Sequence, residues 1–259
     1  MSARYHDSPS KTALKCYNKG RFELIFVIIE VGIVSYLQVN HKHRWKCWIR
    51  MRLIVGLGNP ANSQTIIEKV WQGVMNLVVG LGNPGIQYAK NRHNVGFQCL
   101  EVLAAKHKIS FDKKNMNAIW GKGLIAEKEV ILAKPQTFMN LSGKSVGEMV
   151  RFYKLDPKQE VLIVCDDLDL PLGKMRFRPN GTSGGQNGLR NIMELLGTLE
   201  VPRLRVGIGR PQRGEARDYV LNNFGPEELI VIEQMYGRVT LAIESWLTEG
   251  IAKAMNKFN

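Results

Sequence analysis

The sequence has no Cys-x-x-Cys pair. Its four cysteines, Cys16, Cys47, Cys99 and Cys165, are widely scattered. That excludes a disulfide framework and points to a reducing compartment. It also has no apolar run long enough to cross a bilayer. The segment FELIFVIIEVGIVSYL (22–37) has 16 residues and contains Glu23 and Glu30; a spanning helix needs roughly 20 nearly uncharged residues. Lys15, Lys19 and Arg21 precede it, which keeps a signal-like or organelle-targeting segment as an alternative. The preferred reading is an amphipathic or poorly ordered extension, with no membrane partner. Histidine is scarce as well: there are five, and only His93 and His107 lie beyond residue 75. His41, His43 and Cys47 sit close together in HKHRWKC (41–47), but no second ligand cluster accompanies them. The segment is read as basic rather than metal-binding, so no metal and no cofactor is expected.

Positive charge is what the chain has in excess. Lys and Arg number 36 against 23 Asp and Glu, a net charge of +13. Residues 1–75 hold 11 against 4, and residues 76–259 hold 25 against 19. The later region is thus still basic, as a polyanion-binding protein would be.

From Met75 onward, short apolar runs alternate with amphipathic ones. NLVVG (76–80), EVLIVC (160–165), KMRFR (174–178) and RLRVGIG (203–209) read as strands. AIWGKGLIA and EVILAKP flank Glu127-Lys128 like a hairpin. Residues 95–107, 141–155 (capped by Asn140 or Ser142), 187–197 and 226–248 read as helices. This order predicts an α/β fold: a single-domain, three-layer sandwich around a mixed, mostly parallel sheet, over 76–259. Residues 1–75 form a basic N-terminal extension. Within it, MRLIVGLGNPA (51–61) repeats MNLVVGLGNPG (75–85) at 8 of 11 positions. Only the second copy runs on into Arg-His-Asn, so that copy is assigned to the sheet.

Gly80, Gly82 and Gly85 spell G-x-G-x-x-G, a dinucleotide fingerprint. The surroundings do not fit it. Pro84 precedes the third glycine, the helix is delayed until about Val95, and no acidic residue follows a second strand at the expected offset. The loop is read instead as a mount for side chains. It carries Asn83 at the strand end and His93 ten residues on. A loop imidazole has the right basicity for a general base near neutral pH. His107, among lysines late in its helix, is read as solvent-facing or a C-terminal cap. Three further loops bring Met139 and Asn140, Asp166, and Asn187 toward one end of the sheet, where α/β proteins bind ligands.

LVVGLGNPGIQYAKNRHNVGF, KPQTFMNLSG, DDLDLPLG, GGQNGL and RLRVGIGRP, in this order and spacing, resemble the bacterial-type peptidyl-tRNA hydrolase family over residues 76–259. The resemblance implies hydrolysis of the ester between a peptide and tRNA, without a metal, by a cytoplasmic or organellar monomer. It makes His93 the base that activates water, Asp166 the group that orients it, and Asn140 a donor to the developing oxyanion. Asn83 and Asn187 would grip the peptide carbonyl and the tRNA 3′ end, between apolar walls formed by Tyr88 and Met139. Arg178 and Arg205 would clamp the 5′ phosphate beside the acceptor stem, while Arg210, Arg213 and Arg217 are read as solvated surface. Gln186, placed with the substrate-binding residues, departs from the family, which usually has histidine there. That departure keeps one alternative open: a catalytically weakened RNA-binding relative of the same fold, of the intron-splicing type.

Overall fold

The computed structural model describes residues 75–211 and 213–259 in full. Of the preceding segment it describes the backbone of three strands, β1 (Ala13–Asn18), β2 (Glu23–Ile29) and β3 (Ile33–Val39). The chain divides into two units, Met1–Trp71 and Gln72–Asn259. In the first, β1, β2 and β3 form an antiparallel sheet in that order, with Ala13 opposite Ile28 and Glu23 opposite Val39. The apolar run 22–37, read from sequence as amphipathic or poorly ordered, is thus mostly strand. The His41–His43–Cys47 group and the repeat at 51–61 lie outside the described residues.

The second unit is built on seven strands: β4 (Asn76–Gly80), β5 (Lys113–Asn115), β6 (Ala118–Ile125), β7 (Lys128–Pro135), β8 (Val161–Asp167), β9 (Met175–Arg178) and β10 (Arg203–Gly207). Their order is β5-β6-β7-β4-β8-β10-β9. The central four, β7, β4, β8 and β10, run parallel, and antiparallel strands flank them on both sides. Because β4 and β8 have neighbours on both edges and helices on both faces, every residue in them is buried. This is why their sequences are continuous rather than alternating apolar runs.

Helices α1 (Val95–His107), α5 (Pro226–Glu249) and α6 (Ile251–Phe258) cover one face. They pack on Val78, Leu132, Leu162, Val164 and Leu204. Helices α2 (Ser142–Tyr153) and α3 (Asn187–Leu196) cover the other, over Leu77, Val79, Ile131 and Ile163. A short helix, α4 (Ala216–Leu221), precedes α5. The result is the three-layer sandwich expected.

Two local details differ from expectation. Neither Asn140 nor Ser142 caps α2: Leu141 occupies the N-cap position with no side-chain bond. Residues Met139–Leu141 form a 3₁₀ turn, and the Ser142 hydroxyl donates back to the Met139 carbonyl at 2.8 Å. His107 is neither free in solvent nor a cap, because its Nε2 lies 2.7 Å from Glu244 of α5. At the sheet's β9 edge, the Asn259 side chain substitutes for a neighbouring strand. Its Oδ1 accepts from Phe177 N at 2.7 Å and its Nδ2 donates to Phe177 O at 3.2 Å, covering backbone groups that an open edge leaves unpaired.

Candidate active site

The parallel strands bring the C-terminal ends of β4, β7, β8 and β10 to one side of the sheet. The loops leaving them surround a cavity of about 730 Å³, the size of a cleft for a small organic group. Asn83, His93, Met139, Asn140, Asp166, Gln186, Asn187 and Arg205 all line it. Residues spread over more than a hundred positions of sequence therefore converge.

The glycines position this loop by close packing. A Cβ on Gly80 would stand 2.3 Å from the Gly96 carbonyl oxygen, and one on Gly82 would stand 2.8 Å from the Phe97 ring. β4 and α1 thus approach too closely for any other residue. Gly85 takes φ +109°, where a side chain would be strained. The G-x-G-x-x-G pattern serves helix–strand packing and turn geometry, with a delayed α1 whose first turn follows the Arg-His-Asn.

His93 sits in the 3₁₀ turn Arg92–Asn94 that leads into α1. Its Nδ1 lies 2.8 Å from Oδ2 of Asp166, near the end of β8. Both side chains are largely buried, 13% and 4% exposed. Burial by itself would lower the imidazole pKa. The Asp166 charge and its hydrogen bond outweigh this and hold the pKa above the ordinary histidine value. With Nδ1–H donated to Asp166, the neutral ring presents its Nε2 lone pair, which has no hydrogen-bond partner among the described residues.

A chain of hydrogen bonds surrounds this pair. Gln186, the N-cap of α3, accepts from Leu189 N through Oε1 at 2.7 Å. Its Nε2 lies 3.1 Å from both Asp166 Oδ1 and Met139 Sδ. Met139 N donates to Asn83 Oδ1 at 2.9 Å. Asn94, beside His93, holds the Asn83 backbone with two bonds of 2.9 Å. Asn83 thus offers the cavity only its amide NH₂. Asn140 and Asn187 are exposed, and among the described residues neither carboxamide has a partner.

Other sequence-derived candidates fall elsewhere. Tyr88 lies half-buried in its own 3₁₀ turn (Ile86–Tyr88) and is not among the residues lining the cavity. Arg178 is exposed on edge strand β9, opposite Arg203, and is also outside the lining. Arg205 lines the cavity and pairs with Asp167. Arg210 and Arg217, read as solvated surface, are exposed but belong to the lining. Sequence reading passed over Phe138, 60% exposed at the cavity rim next to Met139. An exposed aromatic inside the KPQTFMN motif was the available signal. Cys165 also lines the cavity, but burial pushes its thiol far above the range of a reactive thiolate. Among the described residues no group of three His, Cys, Asp or Glu side chains is placed to hold a metal, and no helix is long and apolar enough to cross a membrane.

A buried carboxylate bonded to an imidazole, with carboxamides facing the same cavity, is an arrangement suited to hydrolysis. The peptidyl-tRNA hydrolase family profile matches residues 77–259. A peptidyl-tRNA hydrolase of Chloroflexus aurantiacus is 48% identical over 210 residues, covering 81% of this chain and 99% of its own length. That of Herpetosiphon aurantiacus is 50% identical over 210 residues, covering 81% and 90%. The crystal structure of peptidyl-tRNA hydrolase from Acinetobacter baumannii superposes with a TM-score of 0.67 at 36% identity, covering 72% of this chain and 95% of that one. The chain belongs to the peptidyl-tRNA hydrolase family.

Proposed function

We propose that this chain hydrolyses the ester between a peptide's terminal carboxyl and the 3′ ribose of tRNA, with His93 as general base. His93 Nε2 takes a proton from a water, which attacks the ester carbonyl. Asp166 stabilises the imidazolium that forms, and the proton then passes to the departing ribose oxygen. The exposed Asn140 amide donates to the oxyanion, a contribution of about 3 kcal/mol per donor in a dry site. The Asn83 NH₂ and Asn187 hold the peptide carbonyl and the 3′ end, and Met139 with Phe138 supplies the apolar wall. Tyr88, outside the cavity lining, is left to contacts farther along the substrate.

The acceptor stem is held through phosphate rather than base contacts, since recycling all tRNAs requires indifference to sequence. In the β9–β10 register Arg176 faces Arg205 and Arg178 faces Arg203. Arg178 and Arg205 are therefore diagonal neighbours, about 7–8 Å apart at the backbone and within joint reach of one 5′ phosphate. The enzyme acts as a monomer in a translating compartment, cytoplasm or organelle, and needs no cofactor.

The 2.8 Å contact between His93 and Asp166 carries this reading. A protein that only bound RNA would have no use for an oriented base. The test is release of labelled peptide from peptidyl-tRNA by the full chain and by His93→Ala. The variant should lose 10²-fold to 10⁴-fold in rate while still binding tRNA. Equal inertness of both proteins, with tight tRNA binding, would establish the RNA-binding alternative.

A further inference from the structure

Gln186 stands where the resemblance places a histidine, and the residue is only 9% exposed. The orientation of its amide is fixed by the helix it caps. Leu189 N can only donate, so the atom facing it must be Oε1. The NH₂ group is thereby turned toward Asp166 Oδ1, at 3.1 Å. Asp166 then accepts on both oxygens: Oδ2 from the His93 ring and Oδ1 from Gln186. We propose that Gln186 is a positioning residue for the general base, locking the Asp166 carboxylate from the side opposite His93, and not a substrate-binding group. This rests on His93 being the base.

Three physical consequences follow from an amide at this place. It fixes the carboxylate plane, and with it the direction of His93 Nε2 into the cavity. It cannot titrate, so the lock holds at every working pH. It also joins the N-terminus of α3, with its positive end, to the carboxylate. Both polar atoms of Gln186 are engaged inside the protein, leaving none for RNA. The other charged groups lining the cavity are Asp167, Asp169, Arg205, Arg210 and Arg217, and the first two are paired with Arg205 and Arg210; α4, packed on the His93 turn, adds Asp218, with Glu215 at its N-cap. Behind His93, Arg92 is paired with Glu228. Apart from Asp166, then, the acids lining the cavity are paired with arginines, and Gln186 bonds to Asp166, so a change at 186 reads out through Asp166.

Two substitutions in the full chain test this. Gln186→Glu keeps an oxygen for Leu189 N, so the helix cap and fold are retained, but it sets a second carboxyl against Asp166. The acid limb of kcat/KM should then move at least one pH unit upward, because added negative charge makes His93 harder to deprotonate. Thermal stability should stay close to that of the parent at low pH, where the new carboxyl is neutral, and fall as it ionises beside Asp166. Gln186→Met, of similar length, removes the donor altogether. It should lower kcat ten-fold or more with KM within two-fold. A Gln186→Glu limb superposable on the parent's would overturn the proposal, and so would a Gln186→Met variant with raised KM and unchanged kcat. If His93→Ala were fully active, the base assignment itself would fall; if it were inert while both Gln186 variants behaved like the parent, only the role of Gln186 would fall.

Discussion

Arg92 and Glu228, 136 positions apart, pair at 2.6 Å with the arginine buried. The arginine immediately precedes His93. The same glutamate oxygen accepts from Gly225 N at 2.6 Å, closing the first turn of α5. The guanidinium also donates to the Asn223 carbonyl at 2.7 Å and stacks on Tyr219 at 4.2 Å. One side chain thus ties the turn that carries His93 to α4, which forms a wall of the cavity. Arg92→Met leaves a partly buried carboxylate without its counter-ion and should cost about 3 kcal/mol, read by urea unfolding. At temperatures where the variant is folded, kcat should still fall, because α4 and the His93 turn are no longer held together. An unchanged unfolding midpoint would refute this.

The pH dependence of activity follows from the raised His93 pKa. As the proposed base, His93 works only when neutral, so kcat/KM should rise with pH and level off above a midpoint higher than about 6.5, the ordinary histidine value. Stability runs the other way. A group whose folded pKa is raised contributes fully below the unfolded value and loses that contribution as pH rises through the folded one. The His93–Asp166 contribution is therefore greatest below about pH 6.5 and fades as activity appears. Asp166→Asn removes the cause of the rise, leaving burial to dominate. Its NMR-titrated His93 pKa should drop below that of the parent, and its rate should fall. A midpoint that did not move would disprove the coupling.

Gly80 and Gly96 set the distance between β4 and α1. A Cβ on Gly96 would meet Leu81 N at 2.4 Å and Val164 O at 2.5 Å, both backbone atoms that cannot turn aside. Gly96→Ala should cost at least 1–3 kcal/mol, the usual range for overpacking. Because α1 begins two residues after His93, activity should fall further than stability predicts. Denaturant unfolding together with peptide release at a permissive temperature would show whether the two losses separate.

The hairpin between β6 and β7 turns on Ala126 and Glu127, with φ of 48° and 64°. Two left-handed residues suit the twist of a two-residue turn, but Asn-Gly adopts it with less strain. The double change Ala126→Asn, Glu127→Gly should stabilise by about 0.5–1 kcal/mol, leaving activity unchanged. A lower melting temperature would contradict this.

Much of the cavity lining was legible in the sequence because its polar residues sit inside motifs. Asn83, Asn140 and Asp166 read as lying at or just past strand ends and His93 as lying in the loop after the first of them, and parallel pairing of β7, β4 and β8 brings those ends together. The apolar runs of β4 and β8 were equally plain, since burial on both faces leaves no alternation to misread. What could not be read was the supporting contact. Arg92 looks like surface charge until Glu228 and Tyr219 arrive from far along the chain. The direction of the Gln186 side chain could not be read either, because it is set by the Leu189 amide. Asn140 and Ser142 have the composition of N-caps, but the 3₁₀ turn ahead of α2 sends the Ser142 hydroxyl back to Met139.

The bonds from Asn94 to Asn83, Met139, Gln186, Asp166 and His93 return to the residue next to where they began. Substitutions around such a circuit will not be independent of one another. Divergence at this rim should proceed by paired exchanges, one partner shifting to accommodate the other, so that a lone replacement is costly in one genetic background and silent in another.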